Sequence, residues 1–284
     1  MATELPSSGA VLAGGMDGPR AAAESIGSQR PAAERFSGGA AAGPWPTWAV
    51  PQLETAIELA RPAIDRLSVA GLLYREWFNP VAGDLEPLRH TPPLAGIYRA
   101  AHAGSSARIR RDDLSVIRRH DVLRIGGWWR TWGGQWIPPR TRAGSVRLLM
   151  TPRPDALAEF VATVTGALVQ APTPWSFGLA IDPRRIARYG CAVLDLPSLD
   201  ALADGLLDDL EPLLRPVVSP LCLPVAPGVG VAEYPDNGMT FGEHRCHLVA
   251  MALRHPVSDK TPLRAIAAVF NAHGIDPRSP YRAS

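Results

Sequence analysis

Lysine is almost absent from this sequence of 284 residues: Lys260 is the only one, and all other residues in the basic count of 29 are arginines. Arginine does not normally give up its proton, so it binds anions well but does not serve as a base. The scarcity leaves Lys260 as the one side chain of the type that commonly removes a proton from carbon. The scarcity of lysine also favours arginine as the ligand of any anion that the protein binds.

Cysteine is also scarce, and its three positions, Cys191, Cys222 and Cys246, show no CxxC spacing. This pattern argues against a disulfide framework and a zinc site, so no metal is expected. No stretch approaches the apolar length of a membrane span, and the N-terminus lacks a basic segment followed by an apolar run. We therefore expect a cytoplasmic protein with no membrane partner.

Charge of one sign does not dominate either. A net charge of +2 provides no basic surface on the scale of nucleic-acid binding, so no nucleic-acid partner is expected. Arginines are concentrated locally between residues 108 and 142, where they form either a solvated face or a site that attracts an acidic or phosphorylated peptide. The glycines at Gly228 and Gly230 do not fit a dinucleotide or phosphate-loop fingerprint, and no cofactor is expected.

The first part of the chain lacks large apolar residues. Residues 1–44 are mainly Ala, Gly, Ser and Pro, and such a segment buries too little surface to offset its conformational entropy. This composition predicts a disordered tail. Residues 45–284 form the predicted domain, with a helical and β-meander part at 45–145 and a second part at 146–284.

Apolar periodicity predicts the elements of this domain. Helices are expected at 51–78, either bent near Pro62 or divided in two, and at 94–102, 155–170, 198–210, 241–255 and 262–273. Strands are expected at 122–125, 128–136, 146–150, 175–181 and 191–196. The combination predicts an α+β fold with a mixed or antiparallel sheet and packed helices.

Tryptophan is concentrated in one predicted strand region, which contains Trp128, Trp129, Trp132 and Trp136. Aromatic residues favour strands, so these side chains form either the core of a small β-meander or a peptide-binding surface.

Residues 240–246, with the sequence Thr-Phe-Gly-Glu-His-Arg-Cys, combine a helix start with reactive side chains. Thr240 and Glu243 have the spacing of a capping box. The first helical turn leaves N–H groups unpaired at the positive end of the helix dipole, so His244 and Arg245 lie where a phosphate would bind. The alternative is a well-capped helix in which Arg245 is a surface cation and His244 a partly buried polar residue.

Several segments together resemble the HopA-like family, named after a bacterial type III effector. The likeness rests on residues 72–78, 146–197, 227–233, 237–246 and 274–281. The segment 240–246 is the most specific, since the family typically has Ser-Phe-Gly-x-His-Arg-Cys there. Residues 45–284 are thus identified as a HopA-like domain, and the resemblance implies that residues 146–284 are its catalytic part.

This resemblance implies an activity. Relatives take part in making ribosomally synthesised modified peptides, including class V lanthipeptides and thioamitides. A separate kinase-like protein phosphorylates Ser or Thr in a precursor peptide, and the HopA-like protein is implicated as the phosphoserine/phosphothreonine lyase. The products are dehydroalanine or dehydrobutyrine, which react later by thiol addition with the help of a cyclase. The expected partners are the phosphorylated precursor, the kinase-like protein and the cyclase.

The same resemblance suggests site residues. Elimination requires removal of the Cα proton, stabilisation of enolate-like charge and charge neutralisation at the leaving phosphate. His244 is the predicted general acid, and arginines are predicted to bind the phosphate because their planar forks hold its oxygens in pairs. The candidates are Arg147, Arg185, Arg188 and Arg245.

The base is less well defined. Many relatives have a lysine in the strand where this chain has Gly178, so another residue must act if that lysine is the base. Tyr189 and Lys260 are the candidates, with His247 as a further substitute.

Two other functions remain open from the sequence. One is a noncatalytic HopA-like scaffold that holds the peptide or the kinase; the test is whether Arg147, Arg188, His244 and Arg245 converge on one cleft. The other is a translocated effector that acts on host proteins.

Overall fold

A computed structural model of the protein describes residues 43–64, 69–82, 93–103, 109–111, 127–133, 145–169, 171–235, 237–254 and 261–283. Four sequence predictions lie outside these ranges: the tail over residues 1–42, the strand at 122–125, the position of Trp136, and the role of Lys260.

A seven-stranded sheet forms the centre of the described part. Its strands are β1 (Ile109–Arg111), β2 (Trp128–Gly133), β3 (Val146–Met150), β4 (Trp175–Ala180), β5 (Ala192–Leu196), β6 (Leu223–Ala226) and β7 (Val229–Glu233). The order across the sheet is β1-β2-β4-β5-β3-β7-β6, and the neighbouring strands are paired antiparallel. The α+β prediction is confirmed, and of the two predicted sheet types the antiparallel one is present.

Helices cover both faces of the sheet. They are α1 (Val50–Ala60), α2 (Val69–Leu73), α3 (Leu94–Ala101), α4 (Leu157–Val169), α5 (Pro183–Ile186), α6 (Leu206–Leu210), α7 (Phe241–Arg254) and α8 (Pro262–Ala272). A π-helix, Tyr74–Phe78, continues directly from α2. Within the described residues, no helix is long and apolar enough to cross a membrane.

Glycine and proline account for most differences from the predicted elements. The helix predicted at 51–78 is divided as Pro62 suggested, because α1 ends at Ala60 and a 3-10 turn follows. The helix predicted at 198–210 is wrong in its first half, since α6 begins only after Gly205, which has φ +75°. The β6–β7 hairpin was not predicted. It turns at Gly228, where φ is +77° and a Cβ would lie 2.4 Å from the Arg215 carbonyl oxygen.

Two apolar cores lie on opposite faces of the sheet. One packs α3, α4 and α6 against inward residues such as Trp129 and Phe177, and we call this side the α4 face. The other packs α1, α2, α7 and α8 against Leu149 and Ala232 of β3 and β7, and we call it the α7 face. The β2, β4 and β5 part of the α7 face contributes no side chain to that second core. This area contains Arg130, Ser176 and Asp195 together with two tryptophans of β2.

The capping box at the start of α7 is confirmed. The Thr240 backbone N–H donates to Glu243 Oε2 at 3.1 Å, and the Glu243 N–H donates to Thr240 Oγ1 at 3.3 Å. The helix ends at Arg254, one residue before the predicted end. Reciprocal capping of this kind satisfies two of the unpaired donors of the first turn.

Close packing explains why the second helical position of α7, Gly242, tolerates no side chain. A Cβ on Gly242 would lie 2.2 Å from the nearest ring atom of Phe78, the last residue of the π-helix. The absence of a side chain allows α7 to pack directly on that ring. The contact positions the π-helix against the first turn of α7.

We expect Gly242→Ala to destabilise the protein by about 2–3 kcal/mol, because a methyl group forced into a packed ring moves side chains and backbone. Urea unfolding measures the change. The matched control is Gly71→Ala in α2, where a Cβ would meet nothing within 4 Å. That variant should be stabilised by about 0.5–1 kcal/mol through helix propensity. Equal stabilities of the two variants would contradict the packing argument.

Candidate anion-binding site

Strand register brings distant polar residues together on the α7 face. One row across the sheet reads Trp132, Ser176, Asp195, Arg147 and Ala232, each paired with the next on the neighbouring strand. Paired residues of antiparallel strands point to the same face, with Cα atoms about 5 Å apart. An adjacent row on this face begins with Arg130 on β2, which pairs with Gly178 on β4.

Asp195 joins two arginines in this area. Its side chain is 1% exposed and accepts two hydrogen bonds from Arg147, at 2.6 Å from Nε and 3.0 Å from Nη2. Arg130 Nη1 lies 3.7 Å from the same carboxylate. Burial lowers the pKa of Arg147, but the charge of Asp195 outweighs it and the pKa is raised overall. The buried guanidinium therefore stays charged.

Gly178 makes room for Arg130. A Cβ at Gly178 would lie 3.4 Å from Arg130 Cγ and 3.2 Å from a methyl of Val193. The Arg130 side chain thus passes over the glycine towards Asp195 and remains 26% exposed. The position at which the family resemblance placed a lysine is covered here by an arginine from the neighbouring strand. Sequence reasoning missed Arg130, and only the strand pairing could have revealed it.

Two tyrosines border the arginines. The guanidinium carbon of Arg147 lies 4.3 Å from the ring centre of Tyr234, a cation–π contact. Tyr74 comes from the π-helix, an element that often occurs at functional sites. Burial raises the pKa of both tyrosines, and the charge of Glu243 adds to the effect on each. Their hydroxyls are protonated at neutral pH and available as hydrogen-bond donors.

Arg185 completes the group. It lies in α5, just after β4, and its charge acts on Tyr74 together with that of Arg147. We call the set the arginine–tyrosine cluster; its members are Arg130, Arg147, Arg185, Tyr74, Tyr234, Asp195 and Glu243. The cluster contains three arginines and two carboxylates. Half-buried arginines are well suited to bind an anionic ligand.

Arg188 and Tyr189 have main-chain partners near the π-helix. Arg188 donates to the carbonyl oxygens of Arg75 at 2.9 Å and Asn79 at 2.7 Å. The Tyr189 N–H donates to the Pro80 carbonyl. Arg188 therefore positions the π-helix that supplies Tyr74. Among the described contacts, neither residue is joined to the carboxylates of the cluster.

Arg245 is wholly buried. Its guanidinium donates to the carbonyl oxygens of Pro280 and Arg282 and to Nδ1 of His244, and it lies 4.7 Å from the Phe241 ring centre. These contacts hold the C-terminal segment against α7. The surface-cation alternative for Arg245 is wrong, because the residue is buried and its donors are directed to two main-chain carbonyls and the His244 ring.

His244 lies beside Arg245 and is 8% exposed. Burial lowers its pKa to about 4, with further contributions from the charges of Arg245, His273 and His247. Because Arg245 only donates, Nδ1 of His244 must be unprotonated in this contact. The imidazole is neutral at pH 7 and its charged neighbours differ from those of the tyrosines.

The lowered pKa of His244 predicts a pH dependence of stability. The ordinary pKa is 6.5 and the folded value about 4, so between these values the unfolded chain binds a proton that the folded chain does not. The stabilisation is complete above pH 6.5 and is lost as the pH falls towards 4. We expect a loss of about 2 kcal/mol from this group, measured by urea unfolding from pH 7 to 4.

His244→Asn is the control for this pH dependence, because it keeps a side-chain acceptor for Arg245 and removes the titration. The variant should show a flatter stability profile between pH 6.5 and 4. Parallel profiles for the variant and the unaltered protein would mean that another group is responsible.

The structure thus places the predicted site residues in separate groups of contacts. It brings Arg147 and Arg185 together near Tyr74, and it places Arg188, His244 and Arg245 in other contacts. Among the described contacts, none joins Arg188, His244 or Arg245 to Arg147, and the convergence of the four residues on one cleft stays a prediction. Of the residues at the start of α7, Glu243 belongs to the cluster. The sequence analysis had identified Glu243 only as half of the capping box.

The fold and the cluster define an α+β protein with a cationic area on one sheet face. Residues 134–282 match the sequence profile of the HopA1 effector protein family, and the chain belongs to this family. The predicted family is therefore confirmed. Curated proteins gave no match.

Two solved structures share the fold. One is an effector protein from Pseudomonas syringae pv. tomato strain DC3000, with a TM-score of 0.62 and 13% identity over 82% of this chain and 96% of that one. The other is an effector protein from Pseudomonas syringae pv. syringae strain 61, with a TM-score of 0.58 and 14% identity over 83% of this chain and 98% of that one. At these identities the likeness concerns the fold.

Proposed function

We propose that this protein is a phosphoserine/phosphothreonine lyase. Its substrate is a precursor peptide phosphorylated by a kinase-like protein, and its product contains dehydroalanine or dehydrobutyrine, as in the biosynthesis of lanthipeptide- and thioamitide-type peptides. Family membership supports the proposal. The observation that carries it is the arginine–tyrosine cluster, in which Asp195 orders Arg130 and Arg147 on one face of the sheet.

In this proposal the cluster binds the phosphate. Arg130 and Arg185 contact the phosphate oxygens, while Arg147, held by Asp195, adds fixed positive charge beside them. The elimination breaks the Cα–H bond and the Cβ–O bond, forms the Cα=Cβ double bond and releases phosphate. Positive charge stabilises the leaving phosphate as the C–O bond breaks.

The acid of the proposed reaction is a tyrosine. Tyr74 and Tyr234 keep their protons at neutral pH because burial raises their pKa. Each lies within the electrostatic reach of the arginines, and in this proposal one of the two hydroxyls donates its proton to the leaving oxygen. His244, the acid expected from the sequence, is neutral and held by Arg245.

Two residues are proposed as alternatives for the base. Glu243 Oε2 accepts from Thr240, and its charge acts on both tyrosines of the cluster. Lys260 lies outside the described residues and is the chain's only lysine. Glu243→Gln and Lys260→Met separate the two, since only replacement of the base should abolish elimination while phosphopeptide binding persists.

Mass spectrometry tests the function. A phosphothreonine peptide from the cognate precursor is incubated with the protein alone and with its kinase-like partner. A loss of about 98 Da, the mass of phosphoric acid, is the expected result of elimination. Retention of the phosphate in both reactions would contradict the lyase proposal.

A noncatalytic scaffold is the second candidate. It is favoured by the fact that the cations of the cluster are all arginines, since arginine binds phosphate but does not abstract protons. A scaffold would bind the phosphopeptide or the kinase-like protein without any mass change. A translocated effector is the third alternative, and gene neighbours that encode a kinase-like protein and a Cys-, Ser- and Thr-rich precursor would count against it.

A further inference from the structure

The last described residues of the chain pass the end of β7. Ile275 lies in the core of the α7 face, whereas Tyr281 packs against the core of the α4 face. The segment therefore passes from one face of the sheet to the other between these two residues. We call its final part, residues 280–283, the C-terminal strap.

Two residues hold the strap along its whole length. One is Arg245 of α7, and the other is Glu233, the last residue of β7, whose charge also acts on Arg245. Successive strap residues bind to them in alternation through main-chain groups. Arg245 donates to the carbonyl oxygens of Pro280 and Arg282, while Glu233 donates its N–H to the Tyr281 carbonyl at 2.8 Å and accepts at Oε2 from the Ala283 N–H at 3.0 Å.

The strap is attached next to a member of the arginine–tyrosine cluster. The residue after Glu233 is Tyr234, whose ring centre lies 4.3 Å from the guanidinium carbon of Arg147. The Tyr234 N–H donates to the Ser145 carbonyl at 3.3 Å, which is long for a hydrogen bond of this type. This bond alone holds Tyr234 weakly, so the contacts of Glu233 with the strap fix the chain at this point.

We propose that the C-terminal strap is a positioning element, which acts through Glu233 to hold Tyr234 on Arg147 as the acid of the elimination. The inference rests on the proposed function and deepens it by selecting one of the two tyrosines. Glu233 and Arg245 are then positioning residues that act on the reaction only through the strap. Loosening the strap should lower the elimination rate and leave phosphopeptide affinity unchanged, because the arginines bind the phosphate.

Glu233 is the better residue for the test, because replacement of Arg245 is expected to cost stability. Glu233→Ala removes the acceptor of the Ala283 N–H, whereas Glu233→Gln keeps an oxygen there and removes only the charge. We expect Glu233→Ala to lower the elimination rate at saturating phosphothreonine peptide about tenfold. The Kd of the same peptide, measured by fluorescence anisotropy, should change less than about twofold, and Glu233→Gln should retain most of the rate.

Tyr234→Phe shows whether the strap acts through Tyr234. The substitution keeps the ring, removes the hydroxyl and should lower the elimination rate about 10²-fold, as expected for loss of a general acid. In the Tyr234→Phe background, Glu233→Ala should have no further effect, because the group that the strap positions is already absent. The same decrease in both backgrounds would overturn the inference, as would a Tyr234→Phe variant that is as fast as the unaltered protein.

Fluorine NMR of the full chain labelled with 3-fluorotyrosine gives a readout that needs no catalysis. The chain has five tyrosines, and Tyr234→Phe identifies the Tyr234 signal. Glu233→Ala should shift that signal and leave unchanged the signal of Tyr98, which donates to the Ala180 carbonyl on the α4 face. An unmoved Tyr234 signal would overturn the inference even if elimination occurs. A shifted signal in a protein that eliminates no phosphate would support the strap and contradict the lyase proposal.

Discussion

Arg130→Ala is expected to lower the rate of phosphate elimination by about 10²–10³-fold, the usual effect of removing one donor that stabilises transition-state charge. Arg130 is 26% exposed and lies 3.7 Å from Asp195, so its removal leaves the tighter Arg147–Asp195 pair in place. The folded state should therefore remain stable while phosphate binding is lost. Mass spectrometry of a phosphothreonine peptide over time measures the rate.

Arg61→Ala is the matched control for Arg130→Ala. Arg61 is an exposed arginine paired with Glu58 at 2.7 Å, and its removal lowers the net positive charge of the protein by the same amount. We expect no change in the elimination rate. Arg130→Lys keeps the charge without the planar fork and should fall between the two. An elimination rate for Arg130→Ala equal to that of the control would remove the cluster from the proposed mechanism.

Arg245→Met is expected to destabilise the protein by about 3–5 kcal/mol, because it leaves buried acceptors without their donor. The acceptors are the carbonyl oxygens of Pro280 and Arg282 and Nδ1 of His244. Methionine fills much of the space but donates no hydrogen bond. Urea unfolding at pH 7, followed by circular dichroism, measures the change.

An exposed arginine of the same C-terminal segment provides the control. Arg278 is 79% exposed in its ion pair with Asp276, and surface pairs of this kind contribute about 0–1 kcal/mol. Arg278→Met should therefore unfold at nearly the same urea concentration as the unaltered protein. If Arg245→Met does so too, the C-terminal contacts do not explain why arginine occurs at this position.

Arg245→Met and Arg130→Ala together distinguish a structural role of the start of α7 from a phosphate-binding role. At a temperature where Arg245→Met is still folded, it should bind the phosphopeptide as the unaltered protein does, whereas Arg130→Ala should not. The opposite result would restore the phosphate contact that the sequence suggested for Arg245. Glu243 is then the only member of the cluster contributed by this helix start.

Local patterns accounted for most of the elements. Apolar alternation and helical spacing predicted β3, β4, β5, α4 and α7 within a few residues, and the capping box located the start of α7. Two of the differences from the predicted elements occur at glycines in a left-handed conformation. Gly205 divides a predicted helix, and Gly228 forms the turn of an unpredicted hairpin.

The site was less accessible from the sequence than the fold. Arg147 and Arg185 were identified as candidates, but Arg130, Asp195 and Tyr234 were not, because none lies in a local motif. The segment 240–246 looked reactive because it combines His, Arg and Cys, yet Arg245 and Cys246 are buried in structural contacts. A segment can thus have a characteristic sequence because its side chains pack closely, and not because they are reactive.

The sequence by itself determined the family, the α+β class, the capped start of α7 and the use of arginine for nearly all basic side chains. These depend on neighbours within a few positions along the chain or on composition. The tertiary structure decided which arginines meet. Strand register aligns Trp132, Ser176, Asp195 and Arg147 in one row although they are far apart in sequence. A shift of one residue in any strand would turn its side chains to the other face, and no local signal specifies that alignment.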